Sequence, residues 1–331
     1  MRQSLGTSLS LVSAVATLLA AGCASTGQVA PPSEMVTAEA YLTPREDLRP
    51  IARAPGEKLR VLATTSILAD VVSQVGGEQV SLQSLIPAGV DPHAFEPNPA
   101  DARALADAEV VFISGFGLEE FMADLIAQAG NRPVVVSASL GIEPLTAEAE
   151  HGQEHTVDPH TWFDPNNVIH WTENIQAALA AVDPDNADIY ADNAARYKAD
   201  LEALDADIRA SVARIPPEHR RLVTDHEELG YFAEEYGFQV VGTVLPSTSS
   251  LAEPSAQDLA ALSDRIQAEG VPAIFVSSIV NPGLAAQIAD DVGVRVVALY
   301  GHSLTGAEGP AGTYLDLMRY NAQAIAEALA P

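Results

Sequence analysis

Four histidines, His93, His160, His226 and His302, carry the chemistry that can be read from this chain. Each follows an apolar run with the composition of a β-strand, so an α/β fold could gather all four at one crevice beyond the strand ends. The first two share a tripeptide, Asp91-Pro92-His93 and Asp158-Pro159-His160. A shared local frame points to a shared task. Neutral imidazole binds zinc, copper, nickel or ferrous iron, and a four-coordinate site built from nitrogen or sulfur favours zinc. The pattern therefore points to a metal site.

The segments around these residues are built to hold a ring still. His93 lies in a loop with Pro87, Pro92, Pro97 and Pro99, and His160 is flanked by Pro159 and Pro165. Asp91, Asp158 and Asp164 could each orient an imidazole through its second nitrogen, or serve only as turn and cap residues. His226 follows Leu222-Val223-Thr224 and is expected to open a helix running through Glu227 to Tyr236; His302 follows the run Val296 to Tyr300. His151 and His155 sit in a polar acidic loop just before His160. They could capture a second, weaker ion or simply be solvated. His170 and His219 have no such context and read as surface or packing residues.

The elements that must position the four histidines alternate in type. Strand candidates are 59–63, 80–86, 110–114 and 134–137 in the first half, then 221–224, 239–244, 273–277 and 294–299 in the second. Ala/Leu-rich helical stretches separate them, which predicts βα units and largely parallel sheets in two lobes. Between the lobes, Ile189, Tyr190, Tyr197, Leu201, Leu204, Ile208 and Val212 recur at helical spacing. One long helix over 186–215 follows, begun near Asp183-Pro184 and ended by Pro216-Pro217. A helix of that length is a stiff spine that resists hinge motion.

The N-terminus reads as an export signal over 1–22: Met1 and Arg2 precede an uncharged small and apolar stretch ending at Ala20-Ala21-Gly22-Cys23. The lone cysteine cannot form an internal disulfide, and its setting resembles a lipobox, with Ala20 where Leu is usual. Residues 23–57, rich in Ser, Thr, Pro and Ala, read as a lipid-anchored flexible tether. The remaining expectations are an N-terminal α/β lobe over 58–182, the linking helix over 183–215 and a C-terminal α/β lobe over 216–331. The 331 residues hold 17 Lys and Arg against 45 Asp and Glu, a formal charge of −28 that argues against nucleic acid and anionic membrane surfaces as partners. Membrane attachment is expected only through a lipid on Cys23.

From Leu59 onward the chain resembles the zinc- and manganese-binding solute-binding proteins of bacterial ABC importers, the cluster A-I family. The resemblance rests on Asp-Pro-His-Ala-Phe-Glu-Pro at 91–97, Gly-Leu-Glu at 117–119, Asp-Pro-His-Thr-Trp-Phe-Asp-Pro at 158–165 and Thr-Asp-His at 224–226 leading into Gly230-Tyr231-Phe232. Glu253-Pro254-Ser255, Ser303-Leu304 and Tyr314-Leu315 add to it. It implies two (β/α) lobes with mainly parallel sheets, one rigid backbone helix joining them, and one ion in the inter-lobe cleft. It carries the ligand role onto His93, His160 and His226. At the fourth position the family usually has Asp before Ser-Leu, whereas this chain has His302.

Four imidazoles leave a divalent ion at formal charge +2 with a softer ligand set, which favours Zn2+ as bound substrate over Mn2+ and leaves Cu2+ in competition. The function implied is a monomeric extracytoplasmic lipoprotein, anchored to the cell membrane or periplasmic where Cys23 stays unmodified, that delivers the ion to an ABC permease. No catalysis is implied, because a site closed by four side chains lacks the open position of a zinc hydrolase. An enzyme would need a base such as Glu227 or Glu228 beside an open site, and a chelate or siderophore receptor would need a roomier pocket with Arg or Tyr anchors. Since free histidine titrates near about 6.5, affinity is expected to fall steeply below about pH 6.

Overall fold

The computed structural model describes residues 42–128, 133–146, 157–306 and 308–331. Cys23, His151 and His155 lie outside the described residues. Strands β1 (Leu59–Ala63), β2 (Val80–Ser84), β3 (Val110–Ile113) and β4 (Val134–Ser137) form one parallel sheet in the order β2-β1-β3-β4. Strands β5 (Arg221–Thr224), β6 (Gln239–Thr243), β7 (Ala273–Ser277) and β8 (Arg295–Leu299) form a second parallel sheet in the matching order β6-β5-β7-β8. The central strands β3 and β7 are buried along their whole length, as expected of parallel strands covered on both faces.

Helices α1 (Ser66–Gly76), α2 (Pro99–Asp107), α3 (Met122–Gln128) and α4 (Pro165–Val182) belong to the first lobe. Helices α6 (Gly230–Tyr236), α7 (Ala256–Glu269), α8 (Gly283–Val292) and α9 (Tyr314–Leu329) belong to the second. Between the lobes runs α5, Ala187–Val212, whose 26 residues span roughly 39 Å at about 1.5 Å per residue. No Gly or Pro interrupts it. It buries Tyr190, Ala194, Tyr197, Leu201, Leu204, Ile208 and Val212 against α1, α4 and α9. Ile189 departs from the expected stripe. It is 42% exposed, because Tyr190, Ala194 and Tyr197 already define the inward face at intervals of four and three.

One apolar body includes Leu59, Phe112, Trp171 and Tyr197 together with Leu222, Phe275 and Tyr314, so it is continuous through both lobes and the spine. Two smaller clusters cover the outer faces, Leu62, Val111 and Ile126 on the first sheet and Val223, Ile274 and Ile288 on the second. No helix among the described residues is long and apolar enough to cross a membrane.

The tether expected to reach residue 57 does not extend over 42–57. The Thr43 amide donates to the Val135 carbonyl at 2.8 Å, and the Val135 amide donates back to Thr43 Oγ1 at 3.1 Å, which covers the edge strand β4. Leu48 is buried, the Ile51 amide donates to the Val182 carbonyl, and Arg53 pairs with Asp183 at 2.5 Å. The segment forms only one short 3-10 turn of its own, Arg45–Asp47, which still leaves backbone donors and a few apolar side chains that a sheet edge can accept.

Candidate metal centre

All four histidines lie beyond the carboxyl ends of strands. After β2 the chain turns at Pro92–Ala94, where Asp91 caps the turn by accepting the His93 amide at 2.9 Å. His160 stands directly before a short turn, Thr161–Phe163, that leads into α4. His226 follows β5 and His302 follows β8. His226 does not open a helix, because α6 begins only at Gly230. Its carbonyl accepts Thr224 Oγ1 at 2.6 Å and the Glu228 amide at 2.9 Å, a local turn that competes with helical bonding.

The two lobes contribute two rings each. His93 Nε2 lies 3.2 Å from His160 Nε2, and His226 Nε2 lies 3.1 Å from His302 Nε2. One ring nitrogen from each of the four histidines lies within 4.8 Å of every other. Tetrahedral zinc with Zn–N bonds of about 2.0–2.1 Å needs nitrogens about 3.3–3.4 Å apart. The cluster therefore has the size and donor chemistry for one ion. His170 and His219 are exposed and stand apart from it.

Carboxylates fix which nitrogen faces the centre. Asp158 Oδ1 meets His160 Nδ1 at 2.8 Å and also accepts the His160 amide at 2.9 Å. Asp225 Oδ1 does the same for His226, at 2.6 Å to Nδ1 and 2.7 Å to the amide, while Asp225 Oδ2 accepts the Ser277 amide at 2.8 Å. A carboxylate at Nδ1 holds the proton there and leaves the Nε2 lone pair for a cation. His302 Nδ1 lies 3.4 Å from Ser277 Oγ. Of the three aspartates expected as orienting partners, Asp158 takes that role. Asp91 braces its loop and also accepts Ser250 Oγ from the other lobe at 2.5 Å, and Asp164 caps α4. Asp225 was not among the expected orienting residues, although Thr-Asp-His directly after a strand was the available signal.

Hydrogen bonds tie the site loops to their neighbours. Trp162 Nε1 donates to the Gly301 carbonyl at 2.8 Å, which anchors the loop bearing His302, and Tyr314 Oη donates to the Trp162 carbonyl at 2.7 Å. Beside the cluster, Ser303 Oγ accepts the Gly89 amide at 2.6 Å and Ser66 Oγ accepts the Leu304 amide at 3.0 Å, tying the lobes together.

Burial favours the neutral ring at His93, His160 and His302. His160 and His226 are fully buried, His302 is 1% exposed, and His93 is the half-buried member at the mouth. Burial and then His226 lower the His93 ring to about 4. Burial and the other imidazoles hold His160 and His302 well below their ordinary value. Proton competition at these three rings is thus displaced downward from the pH 6 region expected for free histidine. The nearby carboxyls move the other way. Burial pushes Asp158 up to about 8, and burial together with Asp225 raises Glu228 well above the ordinary range.

A family model described as "ZnuA: Zinc-uptake complex component A periplasmic" matches residues 61–328. The manganese-binding lipoprotein MntA of Halalkalibacterium halodurans is 33% identical over 275 residues, covering 83% of this chain and 89% of the relative. The periplasmic zinc-binding protein TroA from Treponema pallidum superposes with a TM-score of 0.76 at 28% identity, over 83% of this chain and 100% of that one. A mutant, Mn-bound form of the periplasmic metal-binding protein from Candidatus Liberibacter asiaticus also reaches a TM-score of 0.76 at 28% identity, over 82% of this chain and 100% of that one. The chain belongs to the family of metal-binding solute-binding proteins of ABC importers, and it is a binding protein rather than an enzyme.

Proposed function

We propose that the chain captures one zinc ion between its lobes, with His93, His160, His226 and His302 as the four ligands, and delivers it to the permease of an ABC importer. The observation that carries this reading is the convergence of four ring nitrogens within 4.8 Å, two of them oriented by aspartates. Four neutral imidazoles suit zinc better than manganese, which prefers carboxylate, carbonyl and water oxygens. Export through the 1–22 signal and anchorage through a lipid on Cys23 complete the account, with a monomeric body from the first lobe to the C-terminus acting at the membrane face.

Manganese is the second reading. MntA is named for it, and the Liberibacter protein is described with it bound. Copper(II) competes on donor type, since imidazole suits it as well.

Elemental mass spectrometry separates these ions. The metal-stripped mature chain is equilibrated with equal, limiting zinc, manganese and copper(II), then dialysed. About one zinc retained per chain is expected. Retention of manganese instead would overturn the donor-set argument, and retention of no metal would overturn the capture role.

A further inference from the structure

Beside the histidine cluster lies a carboxylate that the four-ligand account does not use. Glu228 is completely buried. Its Oε2 stands 3.7 Å from His302 Nε2. Neither of its oxygens accepts a hydrogen bond from an N–H or O–H group among the described residues; the side-chain hydrogen bond it makes is to the carboxyl of Asp225, unusual company for a buried acid. Its closest charged company is another acid: donor atoms of Asp225, His226 and Glu228 lie within 4.8 Å of one another. Two carboxyls this close in a low-dielectric interior repel when both are ionised; a proton relieves this in the ion-free protein, and a cation between them and the imidazoles can take its place.

The neighbouring backbone makes room for this carboxylate. A Cβ at Gly301 would come within 2.3 Å of Glu228 Oε2. The missing side chain immediately before His302 is therefore the space the carboxylate occupies. Gly301 does not have a positive φ, so conformational freedom does not explain the glycine there.

We infer that Glu228 is a specificity-determining residue that supplies an oxygen donor to the ion held by the four histidines. The inference rests on the proposed capture of a metal ion at those histidines. An N4 site becomes N4O, and its formal charge with a divalent ion falls from +2 to +1. A carboxylate oxygen adds most for a harder ion, so Glu228 narrows the preference for zinc over manganese that imidazoles alone would impose. One chain can then accommodate either ion, in keeping with a family whose members are named for both.

The test compares the full mature chain with Glu228→Gln and Glu228→Ala, using Zn2+ and Mn2+ as separate probes in competition with a fluorescent chelator. Glutamine keeps the size and can donate to Asp225, but it carries no anionic oxygen. The expected result is a roughly 10–100-fold loss of manganese affinity in both variants, with zinc affinity largely retained. Equal losses for both ions, or none for either, would overturn the inference. Co2+ loading gives an independent readout: weak visible bands of a five-coordinate ion in the wild type, and the more intense bands of a tetrahedral ion in Glu228→Gln. Identical tetrahedral spectra in the two would also overturn it. A wild-type chain that binds neither zinc nor manganese would overturn the capture reading along with this one, whereas tight wild-type binding with unaltered variants would overturn this one alone.

Discussion

His160→Ala is expected to abolish tight zinc binding, with a loss well beyond the roughly 100-fold typical of removing a residue that merely orients a ligand. His160 is fully buried, so water cannot readily replace the missing nitrogen. The substitution also takes the ring partner from Asp158 Oδ1, leaving it the backbone amide at position 160 alone. His93→Ala should cost less, because His93 is half-buried at the mouth of the site and a water could enter in its place. Competition against a chromophoric chelator measures both variants, and far-UV circular dichroism of the ion-free proteins controls for folding. A His160→Ala chain within tenfold of wild type would remove His160 from the ligand set.

The second large effect is in pH, and its sign follows from carboxyls rather than imidazoles. Burial raises the Asp158 carboxyl to about 8 in the ion-free protein, whereas a cation at His160 favours the ionised carboxylate with the shared proton on Nδ1. The ion-free state therefore binds more protons near neutral pH than the ion-bound state. Raising the pH then favours binding, and the gain stops above about pH 8. The His93 ring, lowered to about 4, adds its own competition only at much lower pH. Zinc affinity should rise roughly tenfold per pH unit between about pH 6 and 7.5, one proton being displaced per ion. Asp158→Asn should flatten that slope. Affinities measured at pH 6, 7 and 8, corrected for protonation of the competitor, check this; a flat profile down to pH 6 in the wild type would contradict it.

Much of this arrangement was legible from local pattern. The runs at 59–63, 134–137, 221–224 and 273–277 coincide with β1, β4, β5 and β7, because each has an apolar or β-branched centre bounded by polar or turn-forming residues. The spine helix was legible for a similar reason: its apolar period extends over many turns, so Ile189 facing outward does not disturb it. The convergence of the four histidines followed from their placement after strands.

What was not legible depends on residues distant in sequence or on competition among hydrogen bonds. Nothing local in residues 42–57 shows that the edge of β4 will accept Thr43, or that Asp183 will pair with Arg53. The start of α6 is delayed because Thr224 and the Glu228 amide both bond the His226 carbonyl, a turn that helical propensity does not register. Asp158 and Asp164 looked alike beside prolines, yet one meets an imidazole and the other caps a helix. The burial of Glu228 depends on a glycine far along the chain, Gly301.

The most direct test of the central claim is anomalous diffraction at the zinc absorption edge from crystals of the zinc-loaded mature chain. The account predicts a single peak between the lobes, about 2.0–2.1 Å from one ring nitrogen of each of His93, His160, His226 and His302. A peak held by fewer than three of these histidines, or one located elsewhere, would contradict it.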